Sequence, residues 1–145
     1  MLKFVLAGLL VFTALPAWAA ELASPQHLSA EQAAEQAHEL VATARLDLSK
    51  VVVVKLRRSG EIFDVVSLQP RVQTAPDDGK ASTAMAISAD KSRLILLTAT
   101  PSEGWRLELP IAELKPGQKL SFPVVDNAAV AKTTELEVVE VRSLP

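Results

Sequence analysis

The sequence predicts an antiparallel β-sandwich of about seven strands with one N-terminal amphipathic helix. Three observations carry this. From Lys50 onward, short apolar or alternating runs recur between turn residues. A single segment, Ser29 to Arg45, repeats its apolar residues at helical spacing. The chain also contains no cysteine, so the domain is held by its core without disulfides. The alternative arrangement is a two-layer α+β fold, in which the helix covers one open face or edge of the sheet.

The first residues have the three parts of a secretory signal. Lys3 supplies the charge, Phe4 to Leu15 an apolar core broken only by Gly8 and Thr13, and Pro16 precedes the small-x-small site Ala17-Trp18-Ala19. Cleavage one residue later puts Trp18 where a small side chain is needed, so the bond after Ala19 is favoured. The apolar stretch is short against the ~20 residues of a spanning helix. No cysteine follows it for lipid attachment, and no Arg-Arg pair precedes it for twin-arginine export. The expected destination is the bacterial periplasm, with no membrane association after cleavage. Residues 1–19 are therefore expected to be a signal peptide, 20–28 a polar leader containing Pro25, and 29–145 one domain.

At Ser29 the helix signal begins with a capping box, Ser29 and Gln32, and Glu31 suits the first turn. Ala30, Ala33, Ala34, Ala37, Leu40, Val41 and Ala44 form one stripe, suited to close packing on a sheet. Glu31, Gln32, Glu35, Gln36 and Glu39 form the other face.

The strands follow. Val51 to Arg58 and Glu61 to Gln69 make a hairpin about Ser59-Gly60, whose register sets Arg58 opposite Glu61, Lys55 opposite Asp64, Leu56 opposite Phe63 and Val54 opposite Val65. Both charge pairs fall directly across from each other, as cross-strand pairing favours. Pro70 to Ser82 reads as a long polar loop with a turn at Pro76-Asp77-Asp78-Gly79. Thr83 to Ser88 and Ser92 to Thr98 make a second hairpin about Ala89-Asp90-Lys91, pairing Ile87 with Leu94 and Met85 with Leu96. Trp105 to Leu109 alternates cleanly, as does Lys119 to Val124, where Pro123 indicates an edge strand. Thr134 to Arg142 is the last strand. Within this series, Leu114-Lys115-Pro116-Gly117-Gln118 followed by Leu120, Phe122 and Val124 resembles the Pro-Gly turn and strand of immunoglobulin-like and fibronectin-like bacterial domains. The resemblance covers only these residues, and sandwich architecture implies no activity by itself.

Several chemistries find little support. The formal net charge is −2, one unit more negative once Lys3 is removed, which gives no global footprint for nucleic acid. The aromatics beyond the signal are Phe63, Trp105 and Phe122, which read as core residues and not as stacking platforms. Only His27 and His38 are available for a serine triad, and no Gly-x-Ser-x-Gly elbow accompanies them. No clustered glycines form a phosphate loop. Of the carboxylates suited to glycoside hydrolysis, Asp64 is answered by Lys55 and Asp77-Asp78 by a turn, while Glu103 and Asp126 remain. Glu31, Glu35 and His38 lie at i, i+4 and i+7 and share a helix face, a possible weak zinc or copper site. Solubility explains the same pattern. No enzyme activity, resident metal or cofactor is expected.

What remains is binding. Lys50, Lys55, Arg57, Arg58 and Arg71 contrast with Glu135, Glu137 and Glu140, as a charged docking face or as ordinary cross-strand pairing that guards strand edges. The expected function is a non-catalytic accessory domain contacting an unidentified protein partner through Arg57, Arg58, Arg71, Asp77 and Asp78. Two alternatives stand beside it: an inhibitor or immunity protein of a periplasmic enzyme, and a weak metal-binding stress protein.

Overall fold

Two local devices start the sheets. Ser59 and Gly60 both adopt positive φ, 51° and 84°, the turn geometry whose twist matches paired strands. They join β2 (Val51–Arg58) to β3 (Glu61–Val66) in the register expected from the sequence, Arg58 opposite Glu61 and Val54 opposite Val65. The second hairpin joins β5 (Ser82–Ile87) to β6 (Arg93–Ala99), pairing Ile87 with Leu94 and Met85 with Leu96 as expected. The computed structural model describes residues 25–42, 50–74, 81–125 and 131–144. The expected signal segment, the Pro76–Gly79 turn and Asp126 lie outside the described residues.

The remaining strands are β1 (Gln26–Ser29), β4 (Arg71–Thr74), β7 (Glu103–Pro110), β8 (Lys119–Val125) and β9 (Ala131–Leu144). They complete two antiparallel sheets, ordered β1-β7-β6-β5-β4 and β3-β2-β9-β8. Alternate residues of each strand face the space between the sheets. Val54, Leu56, Val65, Leu94, Leu96, Leu107, Leu120, Phe122, Leu136 and Val138 fill it as one buried cluster. Phe63 and Trp105 pack against its margin, half-buried. The architecture is the expected β-sandwich with a single helix.

Two expectations are corrected. Gln26–Leu28, read as leader, form β1 with Ser29, and β1 pairs with β7 through His27 and Trp105. Pro70 to Ser82 is not one long loop, because Arg71–Thr74 pair with β5 as an edge strand. Both strands are four residues long, too short to show alternation, and each exists through its neighbour. With them the described residues hold nine strands. Pro123 does lie in an edge strand, β8.

Helix α1 (Ala30–Ala42) begins with the expected capping box. Ser29 Oγ accepts from the Gln32 amide at 3.2 Å, and Gln32 Oε1 from the Ser29 amide at 3.1 Å. The helix lies on the outer face of the five-stranded sheet, where Ala33, Ala37 and Leu40 pack with Leu28, Leu97 and Ala99. The result is three layers, helix over sheet over sheet, and not the two-layer alternative. The working stripe is narrower than expected, since Ala34 is exposed and Val41 is 51% exposed. Gly104 makes the close approach possible: a Cβ there would overlap Ala33 and lie 2.7 Å from the Thr98 carbonyl oxygen. No helix among the described residues is long and apolar enough to cross a membrane.

The free edge of β8 is held by side chains of the other sheet. Thr98 donates its hydroxyl to the Pro123 carbonyl at 2.6 Å, and the Val125 amide donates to Thr83 Oγ1 at 3.0 Å. The two hydroxyls are 3.0 Å apart. Because Thr98 spends its hydrogen on Pro123, Thr83 donates to Thr98. The Pro116-Gly117 turn, with Gly117 at φ 89° and the Gln118 amide donating to the Lys115 carbonyl at 3.0 Å, leads into this strand.

Candidate functional site

Strand alternation separates the neighbouring arginines of β2. Val54 and Leu56 are buried in the core, so Arg58 leaves the sheet on the core side and Arg57 on the outer side. Arg57 donates to Glu137 of β9 at 3.0 Å. That pair belongs to a set on the outer face of the four-stranded sheet, with Lys55–Asp64 at 3.4 Å, Lys119–Glu135 at 3.8 Å and Arg142–Glu140 at 3.2 Å. The basic and acidic runs of the sequence answer each other here. Exposed pairs of this kind each contribute little stability, but they leave no single-sign field.

Arg58 and Arg71 behave differently. Arg71 stands opposite Met85 on β4, facing the gap between the sheets, with its guanidinium 4.8 Å from the centre of the Phe63 ring. Arg58, Glu61, Phe63, Arg71, Gln73 and Met85 line one cleft of about 210 Å³ between the edge strands β3 and β4. Arg58 and Gln73 continue into a second space of about 240 Å³, with Ser59, Val124, Val125, Lys132 and Thr134. Among the described residues Arg57, Arg93, Arg106 and Arg142 each meet a carboxylate in an ion pair, whereas Arg58 and Arg71 meet none. The floor is apolar and tight, since Met85, Val124 and Val125 are buried.

The structure thus brings together two of the five expected contact residues, Arg58 and Arg71. It places Arg57 on the opposite face, and Asp77 and Asp78 lie outside the described residues. Lys132, Gln73 and Thr134 join the cleft without having been singled out. Their signal in the sequence was weak, because Gln73 faces the cleft only through the pairing of β4 and Lys132 only through the early start of β9, while Thr134 is simply the first residue of the expected last strand.

Arg106, Glu108, Asp90 and Glu103 already have partners elsewhere on the molecule. A larger groove of about 420 Å³ beside the helix includes Gln36, Leu40, Ala86, Ile95 and Arg106. Arg106 is held there by Glu108 at 2.9 Å and Gln36 at 3.2 Å. Burial pushes the Glu108 carboxyl up, but the hydrogen bonds and charges of Arg106 and Arg93 together outweigh it and hold the group below its ordinary range. Hydrogen bonds from the Ser92 and Ser88 hydroxyls and the Ser92 amide lower the exposed Asp90 carboxyl to about 2, which organises the β5–β6 turn. Glu103 accepts from or pairs with His27 at 2.8 Å, beside Trp105. Glu31, Glu35 and His38 are exposed on α1, and no group of three His, Cys, Asp or Glu among the described residues is placed to hold a metal ion.

Compared with known proteins, the chain matches no family model, no curated protein and no solved structure.

Proposed function

We propose that the chain is exported, cleaved near Ala19, and acts in the periplasm as a non-catalytic accessory domain that binds a protein partner through the cleft between β3 and β4. The observation that supports this is the pair Arg58 and Arg71. Both guanidiniums line one partly apolar cleft, and among the described residues neither has a carboxylate partner. An arginine is well suited to bidentate recognition of a partner's carboxylate, and an apolar floor beside it adds buried area to the contact.

Ile62 on β3 and Val72 on β4 are 51% and 48% exposed, unusual for large apolar side chains on edge strands. By strand alternation they point to the outer faces of the two sheets, away from Arg58 and Arg71.

The test is capture of a partner by the tagged protein from periplasmic extract after mild cross-linking. Arg58→Glu and Arg71→Glu should each abolish capture while the melting transition stays in place. Arg142→Gln, on the outer face, should leave capture unchanged. Capture that survives both reversals refutes the cleft as the contact. One-to-one capture of a single enzyme, with loss of that enzyme's activity, converts the accessory reading into the inhibitor reading.

A further inference from the structure

Among the described residues the two sheets have four edge strands, finished in different ways. Along β8, Pro123 has no amide hydrogen, its carbonyl accepts from Thr98, and the Val125 amide donates to Thr83. Strands β1 and β4 are four residues long, and so short an edge gives an incoming chain little to pair with. Strand β3 is six residues long, ends the order of its sheet and is braced on its other side by its hairpin with β2.

The hydrogen-bond phase of that hairpin decides which backbone groups of β3 face outward. Arg58 and Glu61 flank a two-residue turn, and the Ser67 amide donates to the Val52 carbonyl at 2.9 Å in the same register. The residues bonded to β2 are therefore Glu61, Phe63 and Val65. Ile62 and Asp64 alternate with them and turn their amides and carbonyls to the open edge. Val66 does the same, but its carbonyl accepts from the Gln69 amide at 3.4 Å, which closes that end. Ile62 and Asp64 are both exposed.

We infer that β3 takes an added antiparallel strand from the partner polypeptide, with a basic side chain opposite Asp64, an acidic one opposite Phe63 and an apolar one opposite Ile62. This rests on the protein-contact reading above and names the conformation and chemistry of the segment that is held. In an antiparallel ladder the residues opposite Ile62 and Asp64 exchange backbone hydrogen bonds with them, which supplies affinity. Their side chains lie on the outer face, beside Ile62 and the Asp64–Lys55 pair. The residue between them points into the cleft, its Cβ roughly 4.5–5.5 Å from that of Phe63. The Arg71 guanidinium lies 4.8 Å from the centre of the Phe63 ring, within reach of a carboxylate carried there.

Charge decides against a second copy of this chain as the added strand. Two β3 strands related by a twofold axis pair about Ile62, Phe63 or Asp64 within this stretch. Pairing about Asp64 sets two carboxylates directly opposite each other. Pairing about Phe63 sets each Asp64 against Ile62 and each Glu61 against Val65. Pairing about Ile62 sets Asp64 against Gly60 of the turn and Glu61 against Phe63. No such register answers a carboxylate with a cation across the new ladder.

The experiment uses the processed protein, ¹⁵N-labelled and purified from the expressing cell, titrated with the peptide acetyl-Thr-Lys-Glu-Val-Thr-amide. In the antiparallel register its Lys, Glu and Val face Asp64, Phe63 and Ile62. The amides of Ile62 and Asp64 should shift and saturate. N-methylation at the peptide's Val removes a hydrogen bond to β3 and should weaken binding about tenfold, whereas N-methylation at its Glu, whose amide points away, should not. Exchanging Lys and Glu within the peptide should also weaken it about tenfold. Ile62→Pro deletes an amide that the β2 ladder does not use, so it should weaken binding while the melting transition stays in place. Arg71→Gln should weaken the parent peptide, and Arg142→Gln should not. Equal binding of the two methylated peptides, or of the parent and its exchanged form, overturns the inference, and both comparisons need only the wild-type protein. A dimer in sedimentation whose formation shifts the Ile62 and Asp64 amides overturns it in favour of a second copy. If no peptide binds while partner capture still depends on Arg58 and Arg71, strand addition is wrong and the protein-contact reading stands. If the peptide binds along β3 while capture ignores Ile62→Pro and both arginine reversals, the protein-contact reading fails instead.

Discussion

Replacing Thr98 with valine removes one hydroxyl from the buried pair that holds the free edge of β8, with almost no change of shape. In the wild-type protein Thr98 donates to the Pro123 carbonyl and accepts from Thr83, whose oxygen accepts the Val125 amide. Both threonines are buried, so water does not replace what is lost. Thr98→Val leaves the Pro123 carbonyl and the Thr83 hydroxyl hydrogen without these partners. At about 1–3 kcal/mol for each orphaned buried group, the cost is about 2–6 kcal/mol. Thr83→Val orphans chiefly the Val125 amide, for about 1–3 kcal/mol. The double variant orphans Pro123 and Val125 but no longer contains the stranded Thr83 hydroxyl. Its cost should therefore fall short of the sum of the singles by about 1 kcal/mol. Urea unfolding of the four proteins, with unchanged m-values, measures this cycle. A Thr98→Val cost under about 0.5 kcal/mol, or strict additivity, refutes the hydroxyl chain as a device joining the two sheets.

Gly104→Ala should destabilise by about 1–3 kcal/mol, because its Cβ meets both Ala33 and the Thr98 carbonyl. Adding Ala33→Gly should recover only part of that, since the carbonyl stays and a helical glycine costs about 0.5–1 kcal/mol; thermal melts of the two variants check this. Gly60→Ala should cost about 1–2 kcal/mol by forcing a side chain into positive φ, and Ser59→Asn should raise the unfolding midpoint, both read by urea denaturation. Asp90 is lowered in the folded state from 3.8 to about 2, so its contribution is present above 3.8 and is lost as pH falls toward 2. Asp90→Asn should therefore lower the melting temperature at neutral pH and converge on wild type near the acid end of a pH series.

How much was legible before the structure depended on how local the cause was. The capping box at Ser29 and Gln32, the Ser59-Gly60 turn and the registers of both hairpins follow from residues within a few positions of one another. Periodicity then fixes which side chains face inward, so Val54, Leu56, Leu94 and Leu96 were readable as core. Pro123 marked an edge strand because it cannot donate to a ladder.

The candidate cleft was legible only in part. Arg58 and Arg71 stood out by charge, but charge alone grouped Arg57 with them, although its Glu137 partner lies on a strand 80 positions away. Gln73 was hidden because β4 is four residues long and takes its conformation from β5. β1 was hidden for the same reason, its partner β7 lying far along the chain.

By itself the sequence determined the helix, the hairpins, the alternation of inward and outward residues and the absence of any thiol chemistry. These are consequences of backbone preference and side-chain period, which act over one or two turns of chain. Only the tertiary structure decided which cations find carboxylates, which face the helix covers, and that Arg58 and Arg71 line one cleft. Those outcomes depend on non-local strand pairing and sheet packing, where a four-residue strand forms because a neighbour satisfies its backbone and a charge is paired only if the register brings its partner across.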